Sequence, residues 1–109
     1  MNPKHGLSDR TLAQIHEVFA RFPEIHRALL FGSRAKGTHK PGSDIDLAIV
    51  GEGIDWRTIG RIYDALDDAM LPYRFSVVRY DANTDPEVAA HIARVGLLLY
   101  ERLPLPVKR

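Results

Sequence analysis

The chain has 109 residues, 45% of them hydrophobic, and its 15 basic and 14 acidic side chains leave a formal charge of +1. That length and composition predict one globular domain, residues 1–109, with a moderate core and no space for a separate substrate domain. The balanced charge argues against direct nucleic-acid binding, and the absence of cysteine excludes disulfides, thiolate zinc sites and thiol nucleophiles.

The N-terminal stretch lacks the apolar segment of a signal peptide, and residues 1–7 read as a flexible end. Ser8 is a helix cap, and Leu12, Ile15, Phe19 and Phe22 recur at helical spacing until Pro23 stops the ladder. Ala28 to Phe31 is a short apolar run that Gly32 ends, a buried strand feeding a tight turn. Residues 33–43 are polar and broken by Gly37, Pro41 and Gly42, a loop with one helical turn after Ser33. From Asp44 to Val50 the pattern alternates, which predicts a strand with Asp44, Asp46 and Ala48 on one face and Ile45, Leu47 and Ile49 in the core.

Trp56, Ile59, Ile62, Tyr63, Leu66, Ala69 and Met70 form an apolar stripe, so a long helix is expected there, with Trp56, Tyr63 and Met70 in the core or an interface. Pro72 ends it. Tyr73 to Tyr80 is rich in β-branched and aromatic residues and reads as a third strand. Asp85-Pro86 caps a helix that Gly96 closes, and Leu97 to Tyr100 reads as a last strand whose exposed edge invites pairing in a homo- or hetero-oligomer. Residues 103–109 read as a second flexible end. The predicted class is α+β (mixed α/β), a short mixed sheet with helices packed against it. No run approaches the ~20 apolar residues of a membrane span, so a cytoplasmic protein with no membrane partner is expected.

Two features carry chemistry. Asp44 and Asp46, two apart on a strand, project from one face with Cα atoms roughly 7 Å apart. Such carboxylates repel each other unless a hard cation lies between them. Magnesium suits the position, because it takes carboxylate oxygens and fills its remaining positions with water and phosphate oxygens. Upstream, Gly32-Ser33 follows a strand: glycine permits close backbone approach, and a helical turn there aims N–H groups and a hydroxyl at a phosphate. Arg34 and Lys36 add positive charge, and His39 is a further candidate phosphate contact. Each feature alone is common by chance. The pattern matches neither the dinucleotide-binding glycine fingerprint nor a P-loop.

Read together, Phe31-Gly-Ser-Arg-Ala-Lys-Gly37 followed by Ser43-Asp-Ile-Asp-Leu47 resembles the glycine–serine motif and paired aspartates of the DNA polymerase β-like nucleotidyltransferase superfamily. The length and the ending, from Leu71-Pro-Tyr-Arg-Phe75 through the Pro86–Arg94 helix to an apolar strand, resemble its minimal nucleotidyltransferase (MNT) branch. The resemblance spans about Ala28 to Tyr100. It implies nucleotide binding by Gly32, Ser33, Arg34, Lys36 and Ser43, and metal binding and catalysis by Asp44 and Asp46. The implied ion is magnesium, with manganese as the alternative, and the implied substrate is ATP or another nucleoside triphosphate.

One position departs from that pattern. The superfamily places a third carboxylate on the strand after the long helix, where it serves as a metal ligand and as the base for the attacking hydroxyl. Here Ser76 aligns with it, and a serine hydroxyl is a poor magnesium ligand. Asp67, Asp68 and Asp81 offer no convincing replacement. The MNT branch further implies a partner, an all-helical HEPN toxin, inhibited by transfer of AMP to a tyrosine hydroxyl. Two readings follow: an antitoxin that transfers AMP to a hydroxyl of its toxin, or a catalytically impaired binding module that inhibits by docking. A transferase acting on RNA or a small molecule is disfavoured, since it needs an added acceptor domain.

Overall fold

The computed structural model describes residues 5–102; the expected flexible stretches at 1–4 and 103–109 lie outside that range. Residues 5–7, expected to be loose, are packed: Leu7 is fully buried and His5 nearly so. Leu7 joins the apolar cluster beneath the first helix, and burying its side chain outweighs the freedom of a terminal segment.

Ser8 caps α1 (Asp9–Ala20), its Oγ accepting the Thr11 N–H at 3.1 Å. Ile15, Val18 and Phe19 give α1 its buried side. Strand β1 (Ile25–Phe31) begins earlier than the apolar run predicts, because Ile25 is buried and pairs with Gly51 beside a bulge. The single helical turn expected after Ser33 is α2 (Gly32–Lys36), closed by Gly37 in the left-handed conformation. Strand β2 (Ile45–Gly51) starts one residue after Asp44. Helix α3 (Trp56–Asp68) is capped by Asp55, whose Oδ1 accepts the Thr58 N–H at 2.9 Å. Strand β3 (Phe75–Arg79), helix α4 (Pro86–Val95) and strand β4 (Leu97–Glu101) follow.

Among the described residues the strands form one mixed sheet in the order β3-β2-β1-β4. β1 is antiparallel to both β2 and β4, whereas β2 and β3 are parallel and joined through α3. The α+β class read from the sequence is the observed one. Side-chain alternation divides β2: Ile45, Leu47 and Ile49 are fully buried in the cluster formed with α1 and α3, while Asp46 and Ala48 belong to the opposite face. On that face α4 packs across β1 and α2 and buries Ile92.

Helix α3 narrows one expectation, core or interface, by excluding the core. Thr58, Ile62 and Leu66 form its buried arc; Trp56 and Tyr63 lie outside it, 76% and 45% exposed, and Met70, just past the helix end at positive φ, is 87% exposed. The apolar stripe in the sequence is broader than the arc the sheet can cover, so its outer edge faces solvent. None of the described helices is long and apolar enough to cross a membrane.

The buried side of α3 and the exposed residue just past its end predict different sensitivities. Leu66→Ala, which empties a fully buried site, should lower unfolding free energy by about 2–5 kcal/mol. Met70→Ala should change it by less than about 0.5 kcal/mol. Urea melts of dilute protein measure both.

Candidate active site

The site grows from a sharp turn between β1 and α2. Gly32 has φ +73°, a left-handed conformation that a side chain disfavours. A Cβ on Gly32 would stand 2.1 Å from Asp46 Oδ2, well inside any real contact. The backbone of the turn is therefore pressed directly against the carboxylate. Cross-strand pairing brings this about, since Phe31 is the register partner of Asp46 in β2, and the residue after Phe31 must pass over that carboxylate.

Ser33 follows, half-buried, in the first turn of α2. Phe31 occupies the cap position and has no capping oxygen, so the leading N–H groups of α2 receive no side-chain acceptor from it. Lys36 is exposed at the far end of α2.

Arg34 differs from the reading that made it a phosphate contact. It is 2% exposed: Nε donates to the Ser43 carbonyl at 3.1 Å and Nη1 to the His5 carbonyl at 2.9 Å. Its guanidinium also lies 5.0 Å from the Tyr73 ring centroid, a cation–π contact. Arg34 thus ties α2 to the 40s loop and the N-terminal segment. The planar guanidinium reaches two carbonyls and one ring face at once, which a lysine would not do.

Ser43 is turned to the loop as well, its Oγ accepting the Lys40 N–H at 2.8 Å. His39 packs in this layer, with Nε2 only 2.5 Å from where a Cβ on Gly6 would sit. Its Nδ1 is buried without a partner among the described residues. The neighbouring His5 has its pKa lowered by burial, then by the charge of Arg34 and by His39.

Asp44 is exposed just before β2, and Asp46 is half-buried within it. The pKa of Asp46 is raised above the usual carboxylate value, first by burial and then by the charge of Asp44; His91 acts in the opposite sense. Two hard oxygen donors whose mutual repulsion a divalent cation would relieve fit magnesium. Among the described residues no third acidic or histidine ligand joins them. The register places Ser76 of β3 directly beside Asp46 of β2, so the two side chains share a sheet face. Ser76, Asp46 and Phe31 form one row across three strands.

His91 completes the surroundings, and sequence reasoning missed it. On α4, its ring stands edge-on to Phe31 with centroids 6.1 Å apart. Read from the sequence it is an isolated helical histidine. Only the packing of α4 over β1 brings it near Asp46, and no local spacing signals that.

The arrangement makes two predictions. Gly32→Ala should destabilise the fold by at least about 1–2 kcal/mol from backbone strain alone, with further cost from displacing the Asp46 carboxylate, measurable by thermal melting. For Asp46 the sign is that of an acid with a raised folded pKa. Its favourable contribution is complete below the unfolded carboxylate pKa and is lost as pH rises through the folded value. Asp46→Asn should therefore raise Tm at neutral pH, and the difference should vanish in acid melts. An equal effect at every pH would contradict the repulsion between Asp44 and Asp46.

Residues 13–104 match the family described as "Polymerase beta, Nucleotidyltransferase". The "Probable protein adenylyltransferase MntA" of Haemophilus influenzae is 28% identical over 97 residues, covering 88% of this chain and 84% of that protein. Among solved structures, a chain of a toxin–antitoxin complex with AMP-PNP superposes with a TM-score of 0.68 at 20% identity, covering 88% of this chain and 75% of that one. A chain from the complex of tri-AMPylated Shewanella oneidensis HEPN toxin with its MNT antitoxin gives a TM-score of 0.63 at 17% identity, covering 88% and 74%. At these identities the structural likenesses establish the fold.

Proposed function

The chain belongs to the polymerase β-type nucleotidyltransferase family, and from that premise we propose that it is an MNT-type antitoxin that binds a magnesium-bound nucleoside triphosphate. ATP is the nucleotide, AMP the transferred group, a hydroxyl of a HEPN-type toxin the acceptor, and the cytoplasm the compartment. The observation that carries this reading is the approach of Gly32 to the Asp46 carboxylate. It sets phosphate-binding backbone and metal-binding oxygens side by side. The similarity to MntA supports the choice of acceptor.

In this reading the Gly32 and Ser33 N–H groups and the Ser33 hydroxyl hold phosphate oxygens at the start of α2. Asp44 and Asp46 hold magnesium, which when bound neutralises phosphate charge and orients the triphosphate. Manganese would serve in the same oxygen set. Lys36, exposed at the end of α2, supplies charge along the approach. Arg34 and Ser43 act from behind, fixing the loop between turn and carboxylates. A protein acceptor suits a site in which Asp44 is exposed and Asp46 half-buried.

A second reading rests on one observation, the register of Ser76 beside Asp46. Serine cannot take a proton from an attacking hydroxyl at neutral pH, and it adds no charge for a second metal. The chain would then bind nucleotide and dock on the toxin while transferring AMP slowly or not at all. Loss of a general base typically costs about 10²–10⁴-fold in rate.

One experiment separates the two. The protein is mixed with magnesium, α-labelled ATP and the candidate toxin, and both label transfer and toxin inhibition are followed. Transfer by the wild type that is abolished in Asp44→Ala/Asp46→Ala, together with loss of inhibition, is the expected result. Full inhibition by that double variant would sink the catalytic account in favour of docking. Ser76→Asp should raise the transfer rate by about 10²–10⁴-fold if the missing carboxylate is what limits it.

A further inference from the structure

The outward side of α3 carries a row that the site does not use. Trp56, Gly60, Tyr63 and Asp67 are spaced alternately four and three residues apart, and all four are exposed. That spacing follows the seam of a two-helix coiled coil, with Trp56 and Tyr63 as its large members and the exposed Met70 just past the helix end. All three are among the large exposed hydrophobic residues of the described chain. Such a row on an otherwise polar helix marks a contact surface rather than scattered exposure.

The geometry points to an antiparallel pairing of α3 with α3 of a second copy of this chain. Three observations favour a copy over an unrelated partner. The first is size. In an antiparallel register that seats Tyr63 over the partner's Gly60, each helix offers one bulky knob and one gap, and the same operation sets Trp56 against the partner's Asp67. The surface is complementary to itself, as a two-fold interface requires.

The second is Gly60 itself. A Cβ there would meet nothing within 4 Å, so the lone fold imposes no need for glycine in mid-helix, where it is destabilising relative to alanine. Close approach of another helix supplies the need.

The third is charge. Arg57 and Arg61 lie in the N-terminal half of α3, and Asp64, Asp67 and Asp68 in the C-terminal half. That order opposes the helix dipole, which favours anions at the N-terminus and cations at the C-terminus. Arg61 is occupied by Glu24 at 3.3 Å, whereas Arg57 lies over the Trp56 ring, 5.2 Å from its centroid. Antiparallel pairing brings Arg57 of each copy to the acidic half of the other and opposes the two dipoles.

Full cover of two tryptophans, two tyrosines and the adjoining methionines buries on the order of 1,000 Å², the low end for a specific interface. The dimer is accordingly weak, with Kd on the order of tens of micromolar. Because α3 packs on the sheet face opposite Asp46, pairing leaves both copies of the candidate active site open. The inference does not depend on the nucleotidyltransferase reading.

Trp56 is the single tryptophan of the chain and reports on the contact directly. Sedimentation velocity and Trp56 emission are followed on the full chain from about 1 µM to about 500 µM, bracketing that Kd. The expected result is a monomer–dimer equilibrium with emission moving to the blue as dimer forms. Gly60→Leu should be monomeric throughout while melting no lower than wild type at low concentration, because the gap is filled and the helix strengthened. Arg57→Asp and Asp67→Arg should each weaken the dimer at least about 10-fold, about 1.4 kcal/mol, and the double variant should regain most of the loss. A wild type that stays monomeric over the whole range overturns the inference, as does a dimer indifferent to Gly60→Leu. Emission that moves only when a toxin partner is added would overturn it too, and assign the seam to that partner.

Discussion

The contact between the Gly32 backbone and the Asp46 carboxylate is the constraint on which the candidate site depends. It exists because β1 and β2 pair with Phe31 opposite Asp46 and because Gly32 brings no Cβ into the gap. Once the backbone turns there at positive φ, α2 must begin over the sheet end and Ser33 must lie in its first turn. Arg34 then secures the arrangement from behind, through the Ser43 and His5 carbonyls. A buried guanidinium is costly unless its donors are used, and this one is satisfied by backbone oxygens and an aromatic face. The same contacts explain why residues 5–7 are packed.

Charge around that contact is unbalanced. Asp46 is half-buried beside Asp44, and its ionised form is disfavoured by burial and by that neighbour. A fold optimised for stability alone would not keep both. His91 offsets part of the repulsion from α4, which makes α4 more than a cover for the sheet. Ser76, in register with Asp46, leaves the row with one carboxylate fewer than the family pattern that the chain resembles.

The sheet separates two surfaces. One face holds the carboxylates, the glycine turn and α4. The other buries Ile45, Leu47 and Ile49 under α1 and α3, and beyond them α3 turns Trp56, Gly60, Tyr63 and Asp67 outward. Changes on one surface act on the other only through the packed core, so the outward side of α3 and the surroundings of Asp46 are separable by substitution.

The sequence by itself determined the elements and the chemical types. Ser8 and Asp85 announce helix starts through local capping oxygens, and the alternation from Ile45 to Ile49 assigns Asp46 to the face away from the core. Period and capping are local properties, legible without the fold. The glycine turn and the paired aspartates were legible for the same reason, as short-range motifs. Tertiary structure alone decided the rest. Arg34 lies next to Ser33 in the chain, yet it is buried as a strut, because its surroundings come from the 40s loop, the N-terminal segment and Tyr73. His91 became a neighbour of Asp46 only through the placement of α4, and Trp56 left the core because the sheet covers a narrower arc of α3 than its apolar stripe spans. Burial and electrostatic partnership are properties of the packed chain, set by which segments meet, and residue order does not record those meetings.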